Sequence, residues 1–244
     1  MGIRFFVGSL DELLDLCRQG GSIVVPAAPA LAELETAPEY RHAIENAAFA
    51  ITDSSLLVLL WLLRRGEHLT RISGLMFLRG LVKDPAFRRE KATYWVMPSA
   101  EDMEANLRWL NNEGVAVTSE CCYLAPYYPK GSIEDQHLLE EIEKAHPNFV
   151  VINLGGGTQE ILGNYLSSHL SYRPAIICTG AAIAFLSGRQ ANIPPWADAL
   201  MLGWLARCLS EPRRFIPRYW RGLRFIRLFF QYADQHGPSI KPPA

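Results

Sequence analysis

Three short segments carry residue types that could do chemistry on a phosphorylated, hydroxyl-rich ligand. Asp53, in Thr52-Asp53-Ser54-Ser55, stands between an apolar strand pattern and an apolar helix pattern. It has two readings. As a helix N-cap, its carboxylate accepts from the amides of Ser55 or Leu56. As a general base, it takes the proton of an attacking sugar hydroxyl. The second segment, Gly155-Gly156-Gly157-Thr158-Gln159-Glu160, follows an apolar run and opens a helix pattern. Glycines there let backbone amides approach a diphosphate, whose charge a helix N-terminus favours. The spacing is neither GxGxxG nor a Walker loop. It also reads as a plain strand-to-helix turn with Thr158 as cap, and Gln159 and Glu160 are placed to grip a nucleoside or sugar hydroxyl. Thr179-Gly180, after a further apolar run, is the third.

The C-terminal segment holds a different chemistry. Between Arg207 and Arg227 there are seven arginines (207, 213, 214, 218, 221, 224 and 227) against one glutamate, a local charge of +6 in a chain of net charge −1. Aromatic residues alternate with them, including Phe215, Tyr219, Trp220 and Phe225. After Pro217, the residues Tyr219, Leu223, Ile226 and Phe230 fall at i, i+4, i+7 and i+11, which predicts one apolar helical face. Such a stretch fits a solvated helix face, a nucleic-acid patch, or an interfacial helix that binds anionic head groups or a lipid diphosphate through arginine forks. The near-neutral whole argues against a dedicated nucleic-acid binder, and no nucleic-acid partner is expected.

The elements that must position these residues alternate. Ser22–Val25, Phe49–Ile51, Tyr94–Met97, Val115–Thr118, Phe149–Leu154 and Ala175–Cys178 read as strands, and 9–19, 30–48, 56–64, 99–111 and 133–144 as helices. Apolar strands alternating with helices predict a Rossmann-like α/β fold: a mostly parallel sheet with helices on both faces, carrying a basic amphipathic C-terminal helical appendage. Ligands in such sheets sit beyond the strand C-termini, which lines up Asp53, Pro98, Gly155–Gln159 and Thr179–Gly180 on one rim. The expected division is a core over residues 1–196 and an appendage over 197–244.

With 244 residues, 49% hydrophobic and 20% charged, the chain is neither disordered nor low in complexity. The longest apolar run, Leu56–Leu63, is eight residues, short of the roughly 20 a membrane span needs. No secretory start is read at Met1–Phe6, so the five cysteines (17, 121, 122, 178 and 208) are expected to be reduced, buried thiols. Six histidines form no HxxxH or HxH pair, and no DxD, GxSxG or HExxH occurs; neither metal nor cofactor is expected.

In combination, these residues resemble the WecG/TagA/CpsF glycosyltransferases (glycosyltransferase family 26). Gly155–Glu160 resembles that family's Gly-x-Pro-Lys-Gln-Glu, and Thr179–Gly188 with Ile193–Trp196 its Gly-Gly-x-Phe-Asp-Phe-x-x-Gly and the element after it. Gly203–Arg207, Glu211–Arg214 and Arg218-Tyr219 resemble its closing signatures, Thr52–Ser54 its Ala-Asp-Gly, and Arg71–Gly74 its Arg-Val-Thr-Gly. The resemblance implies metal-independent, inverting transfer of a sugar (N-acetylmannosamine or another hexose) from a UDP-sugar to a polyprenyl-diphosphate-linked sugar, in cell-surface polysaccharide synthesis. It implies a cytoplasmic protein, peripheral on the inner face of the membrane, and homo-oligomer formation is compatible with it. Asp53 would be the base. Arg71, Gln159 and Glu160 would contact the nucleotide sugar. Arg207, Arg214, Arg218 and Arg221 would close over the lipid diphosphate and hold the anionic membrane surface. The sequence departs from the family pattern where polar groups are replaced: Pro26-Ala27-Ala28 for Thr-x-Asn, Met76 and Ala184 for aspartates, Met97-Pro98 for a glycine turn, and Ser54 for the glycine after the base. These departures imply an altered donor or acceptor, or a catalytically impaired relative acting as a membrane-associated binding or scaffold protein.

Overall fold

The computed structural model describes residues 3, 5–66, 69–190 and 203–232, with the side chains at 206, 207, 214, 218, 221 and 232 outside that description. Six strands form one sheet: β1 (Gly21–Val24), β2 (Phe49–Ala50), β3 (Thr93–Met97), β4 (Cys122–Leu124), β5 (Phe149–Ile152) and β6 (Ala175–Cys178). Their order is β2-β1-β6-β5-β3-β4, and every neighbouring pair is parallel. The continuous apolar runs of β1, β3, β5 and β6 have a simple cause: each strand is covered on both faces and buried along its length.

Alternation sorts the strand side chains between two cores. Val150, Ile152, Ile176 and Cys178 face helices α2 (Ala28–Leu31), α3 (Pro38–Asn46), α4 (Ser55–Arg65), α7 (Gln136–Ala145) and α8 (Thr158–His169). Trp95, Met97, Val151 and Ile177 face α1 (Leu10–Cys17), α5 (Gly74–Leu81), α6 (Ala100–Asn112) and α9 (Ala182–Leu186). Caps set the helix starts. Ser9 Oγ accepts from Glu12 N–H at 3.2 Å while the Glu12 carboxylate accepts from Ser9 N–H at 2.6 Å, a reciprocal box that begins α1. Ser73 Oγ accepts from Met76 N–H at 3.1 Å and starts α5, an element the sequence reading left blank.

One expected strand is absent. Val115 and Val117 are buried, as their alternation predicts, but their backbone is used elsewhere. Val115 N–H donates to Leu110 carbonyl at 3.0 Å, and Val117 carbonyl accepts from Asn111 Nδ2 at 3.1 Å. The ladder beside β3 is taken instead by β4, with Trp95 opposite Cys122.

The C-terminal segment folds as α10 (Gly203–Ser210), α11 (Pro212–Gly222) and α12 (Arg224–Tyr232). The single apolar stripe expected after Pro217 is not formed. The helix runs through Pro217 and breaks at Leu223, which resets the phase. Leu223 and Phe230 are consequently 47% and 50% exposed, while Phe215, Phe225, Leu228 and Phe229 are buried. Phe229 meets Trp61 of α4 edge to face at 6.3 Å, and Gly222 lies so close to Pro29 that a Cβ there would sit 3.2 Å from the proline ring. The expected boundary at 196/197 lies outside the described residues, as does the expected Ile193–Trp196 element.

Candidate active site

A cavity of about 330 Å³ opens at the C-terminal ends of the strands. Asp53, Pro98, Gly155, Gly156, Gln159, Thr179 and Gly180 all line it, so these residues, expected beyond the strand C-termini, share one cavity. Gly157 and Thr158 stand behind the lining, at the start of α8.

Asp53 does not cap the helix that follows it. Ser54 takes that place, its Oγ accepting from Leu57 N–H at 3.2 Å. The Asp53 carboxylate turns across the cavity wall to the neighbouring helix, where Oδ1 accepts from Gly74 N–H at 3.1 Å. Arg71 Nε donates to the Asp53 backbone carbonyl at 2.9 Å. The Arg71–Gly74 segment therefore holds Asp53 through both its main chain and its side chain. Arg71 itself is not among the residues lining the cavity.

The glycine loop is braced from within. Gly157 has φ +92°, a conformation L side chains rarely adopt, and it turns the chain from β5 into α8. Thr158 is not the cap. The Glu160 carboxylate accepts from Gly157 N–H at 2.6 Å and from Gln159 Nε2 at 2.9 Å. Gln159 in turn accepts from Gly180 N–H at 2.7 Å through Oε1 and donates to Cys178 carbonyl at 3.3 Å. Buried as they are, Gln159 and Glu160 spend these groups on joining the β5–α8 turn to the β6–α9 turn. Chain neighbours aside, no atom of the described residues lies within 4 Å of where a Gly155 Cβ would stand, and for Gly156 only Ala30 Cβ does, at 3.8 Å. Backbone beside such open space is what a diphosphate at a helix N-terminus requires.

Burial, with the Glu160 charge second, pushes the Cys178 thiol and the Tyr40 phenol well above their ordinary values. Cys178 donates to Gln159 carbonyl at 3.3 Å and stays a protonated packing group. Of the five thiols, Cys17 and Cys178 are buried as expected, whereas Cys121, Cys122 and Cys208 are partly exposed.

The sequence reading missed the far wall. Asn153, Asn106 and Asp102 also line the cavity. Asp102 accepts from Arg189 Nε and from Ser99 Oγ, each at 3.0 Å, and Asn106 Oδ1 accepts from Ser187 Oγ at 2.6 Å. Asn153 carried a signal: it is the one polar residue in Phe149–Leu154. Of the positions where a polar group of the family pattern is lost, Ala184 lines the same cavity, whereas Pro26 and Ala28 are not among its lining residues.

Of the arginines proposed for a lipid diphosphate, Arg207 lies in α10 and Arg214, Arg218 and Arg221 lie in α11, with their side chains outside the described residues. Phe215 of α11 does line the cavity, so this helix reaches the site. Arg213, Arg224 and Arg227 are exposed.

An all-parallel sheet with helices on both faces, and a glycine turn and a carboxylate at its strand ends, defines an α/β protein of the Rossmann-like class. Consistent with that class, a family model described as the glycosyl transferase WecG/TagA/CpsF family matches residues 1–237, and the chain belongs to that family. A comparison with curated proteins finds no significant match.

Proposed function

We propose that this chain is an inverting glycosyltransferase that moves a hexose from a UDP-sugar to a polyprenyl-diphosphate-linked sugar in cell-surface polysaccharide synthesis. The observation that carries the reading is that Asp53 and the Gly155-Gly156 turn face one cavity. Asp53 takes the proton of the acceptor hydroxyl as its oxygen bonds to the anomeric carbon. The bond from that carbon to the UDP oxygen breaks on the opposite side, and UDP leaves with the electron pair. The amides at the start of α8 receive the growing diphosphate charge. No step here calls for a metal or a cofactor.

Arg71 then serves as a positioning residue, fixing the Asp53 main chain. The arginines of α10 and α11 meet the lipid diphosphate, and the exposed Trp204, Leu209, Ile216 and Trp220 enter the interface beside them. Among the described residues no helix is long and apolar enough to cross a membrane. On this reading the protein attaches peripherally through these helices, at the cytoplasmic face of the membrane. UDP release from a UDP-hexose, dependent on an added polyprenyl-diphosphate sugar, tests the reading. Absence of release across a panel of donors and acceptors would refute it.

A second reading has its own observation. Ala184 puts a methyl group on the cavity lining where the family pattern has an aspartate, which suits a relative that binds without turnover and acts as a membrane-associated scaffold. Calorimetric binding of UDP with no release of product under any pairing would favour it.

A further inference from the structure

The cavity lining holds two polar atoms that find no partner among the described residues. Among the described residues, Asn153 Oδ1 and Thr179 Oγ1 are buried atoms with no hydrogen-bond partner. Both residues line the cavity. Leaving a buried polar atom unmade is costly, so such atoms are rare unless something else satisfies them. Their placement is ordered. Strands β5 and β6 pair with Val151 opposite Ile177, so Asn153 and Thr179 each lie two residues beyond that pair. Side chains two apart along a strand share a face, so both residues continue the side of the sheet taken by Val151 and Ile177.

The Asn153 amide is also oriented. Its Nδ2 donates to Val96 carbonyl at 3.2 Å and lies within 3.7 Å of Met97 Sδ, which turns Oδ1 away from them. Flipping the amide would set Oδ1 against a carbonyl oxygen. Asn153 therefore offers an acceptor only, and Thr179 a hydroxyl that donates as well as accepts. The same cavity lining includes the apolar Val25, Ala182, Ala184 and Phe185.

We propose that Asn153 and Thr179 together read an amide group of the bound nucleotide sugar, Asn153 Oδ1 accepting its N–H and Thr179 Oγ1 donating to its carbonyl. This rests on the nucleotide-sugar reading above and adds two specificity-determining residues to it. Two parts of such a ligand present that chemistry: the uracil imide and an acetamido substituent on the sugar, whose methyl would suit the apolar wall.

Thr179→Val tests it cleanly, because the change is nearly isosteric and removes a hydroxyl that bonds nothing in the protein. Its thermal midpoint should hold or rise, since an unsatisfied buried group is lost. Calorimetry of the full chain with UDP, UDP-glucose and UDP-N-acetylglucosamine gives the readout. Affinity for the amide-reading ligand should fall about tenfold, the worth of one good hydrogen bond. Asn153→Ala, checked for folding by circular dichroism, should reproduce the same pattern. Equal losses for all three ligands place the amide on uracil. A loss confined to UDP-N-acetylglucosamine places it on the sugar. Unchanged affinities in variants of a protein that binds UDP would overturn the inference and leave the transferase reading intact. So would a steep fall in the Thr179→Val midpoint, which would make the hydroxyl structural. A native protein that binds none of the three ligands would overturn the nucleotide-sugar reading itself.

Discussion

Replacing Asp53 by asparagine separates the chemistry of this carboxylate from its structural part. The side chain makes one contact with the neighbouring helix, accepting Gly74 N–H at 3.1 Å. An asparagine Oδ1 can accept the same bond in the same place. What is lost is a negative charge at the N-terminus of α5, about 0.3–1 kcal/mol at a part-exposed site. For a chain of this size that is a fall of at most about 4 °C in the thermal midpoint. Chemistry should suffer far more, because removing a general base costs about 10²–10⁴ in turnover. Thermal unfolding, UDP titration and a UDP-release assay with a polyprenyl-linked acceptor would read the three quantities from one preparation. The expected pattern is a small midpoint change, unchanged UDP affinity and turnover reduced at least a hundredfold. Asp53→Ala is the contrast: it strands Gly74 N–H and should cost about 1–3 kcal/mol in addition. Full turnover in Asp53→Asn would refute the argument, whatever the family membership says.

Other outcomes follow from named contacts. Gln159→Leu removes the acceptor of Gly180 N–H and the donor to Cys178 carbonyl, so urea unfolding should show a loss of about 2–3 kcal/mol and UDP affinity should fall with it. Phe229→Ala empties a fully packed site against Trp61, and a loss of about 3–5 kcal/mol in the same experiment would show that α12 belongs to the cooperative fold. Burial holds the Cys17 and Cys178 thiols protonated far above the ordinary value of 9.0. The stability this represents is complete below pH 9 and declines as pH rises further, because only the unfolded chain then releases those protons. Unfolding midpoints measured from pH 8 upward should therefore drop, and alkylation at pH 8 should spare both thiols until the protein unfolds.

What the sequence made legible follows from which forces act locally. Strands such as Ala175–Cys178 and Phe149–Ile152 could be read because a strand covered on both faces must be apolar at every position. The rim of the site followed from where the apolar strands end, since ligands of parallel sheets sit beyond those ends. Val115–Thr118 misled because burial of alternate side chains does not say which partner takes the backbone; here α6 and the loop after it claimed those groups before β3 could. Asp53 was open between two readings for a related reason. Ser54 caps α4 equally well, and only the return of Arg71–Gly74 across the sheet gives the carboxylate another partner. Asn153 went unseen because its role depends on Thr179, 26 positions further along the chain. The C-terminal stripe failed because a helical wheel assumes unbroken phase, and the break at Leu223 ends it.

The side chain of Gln159 has a mechanical consequence. Because a single carboxamide grips the turns after β5 and β6 at once, the two are yoked, and neither can swing outward without dragging its companion. On the nucleotide-sugar reading, a leaving nucleotide that loosens one of these turns relaxes the neighbouring turn as well. Departure would then resemble a jaw slackening along its whole length, rather than a latch lifting at one point.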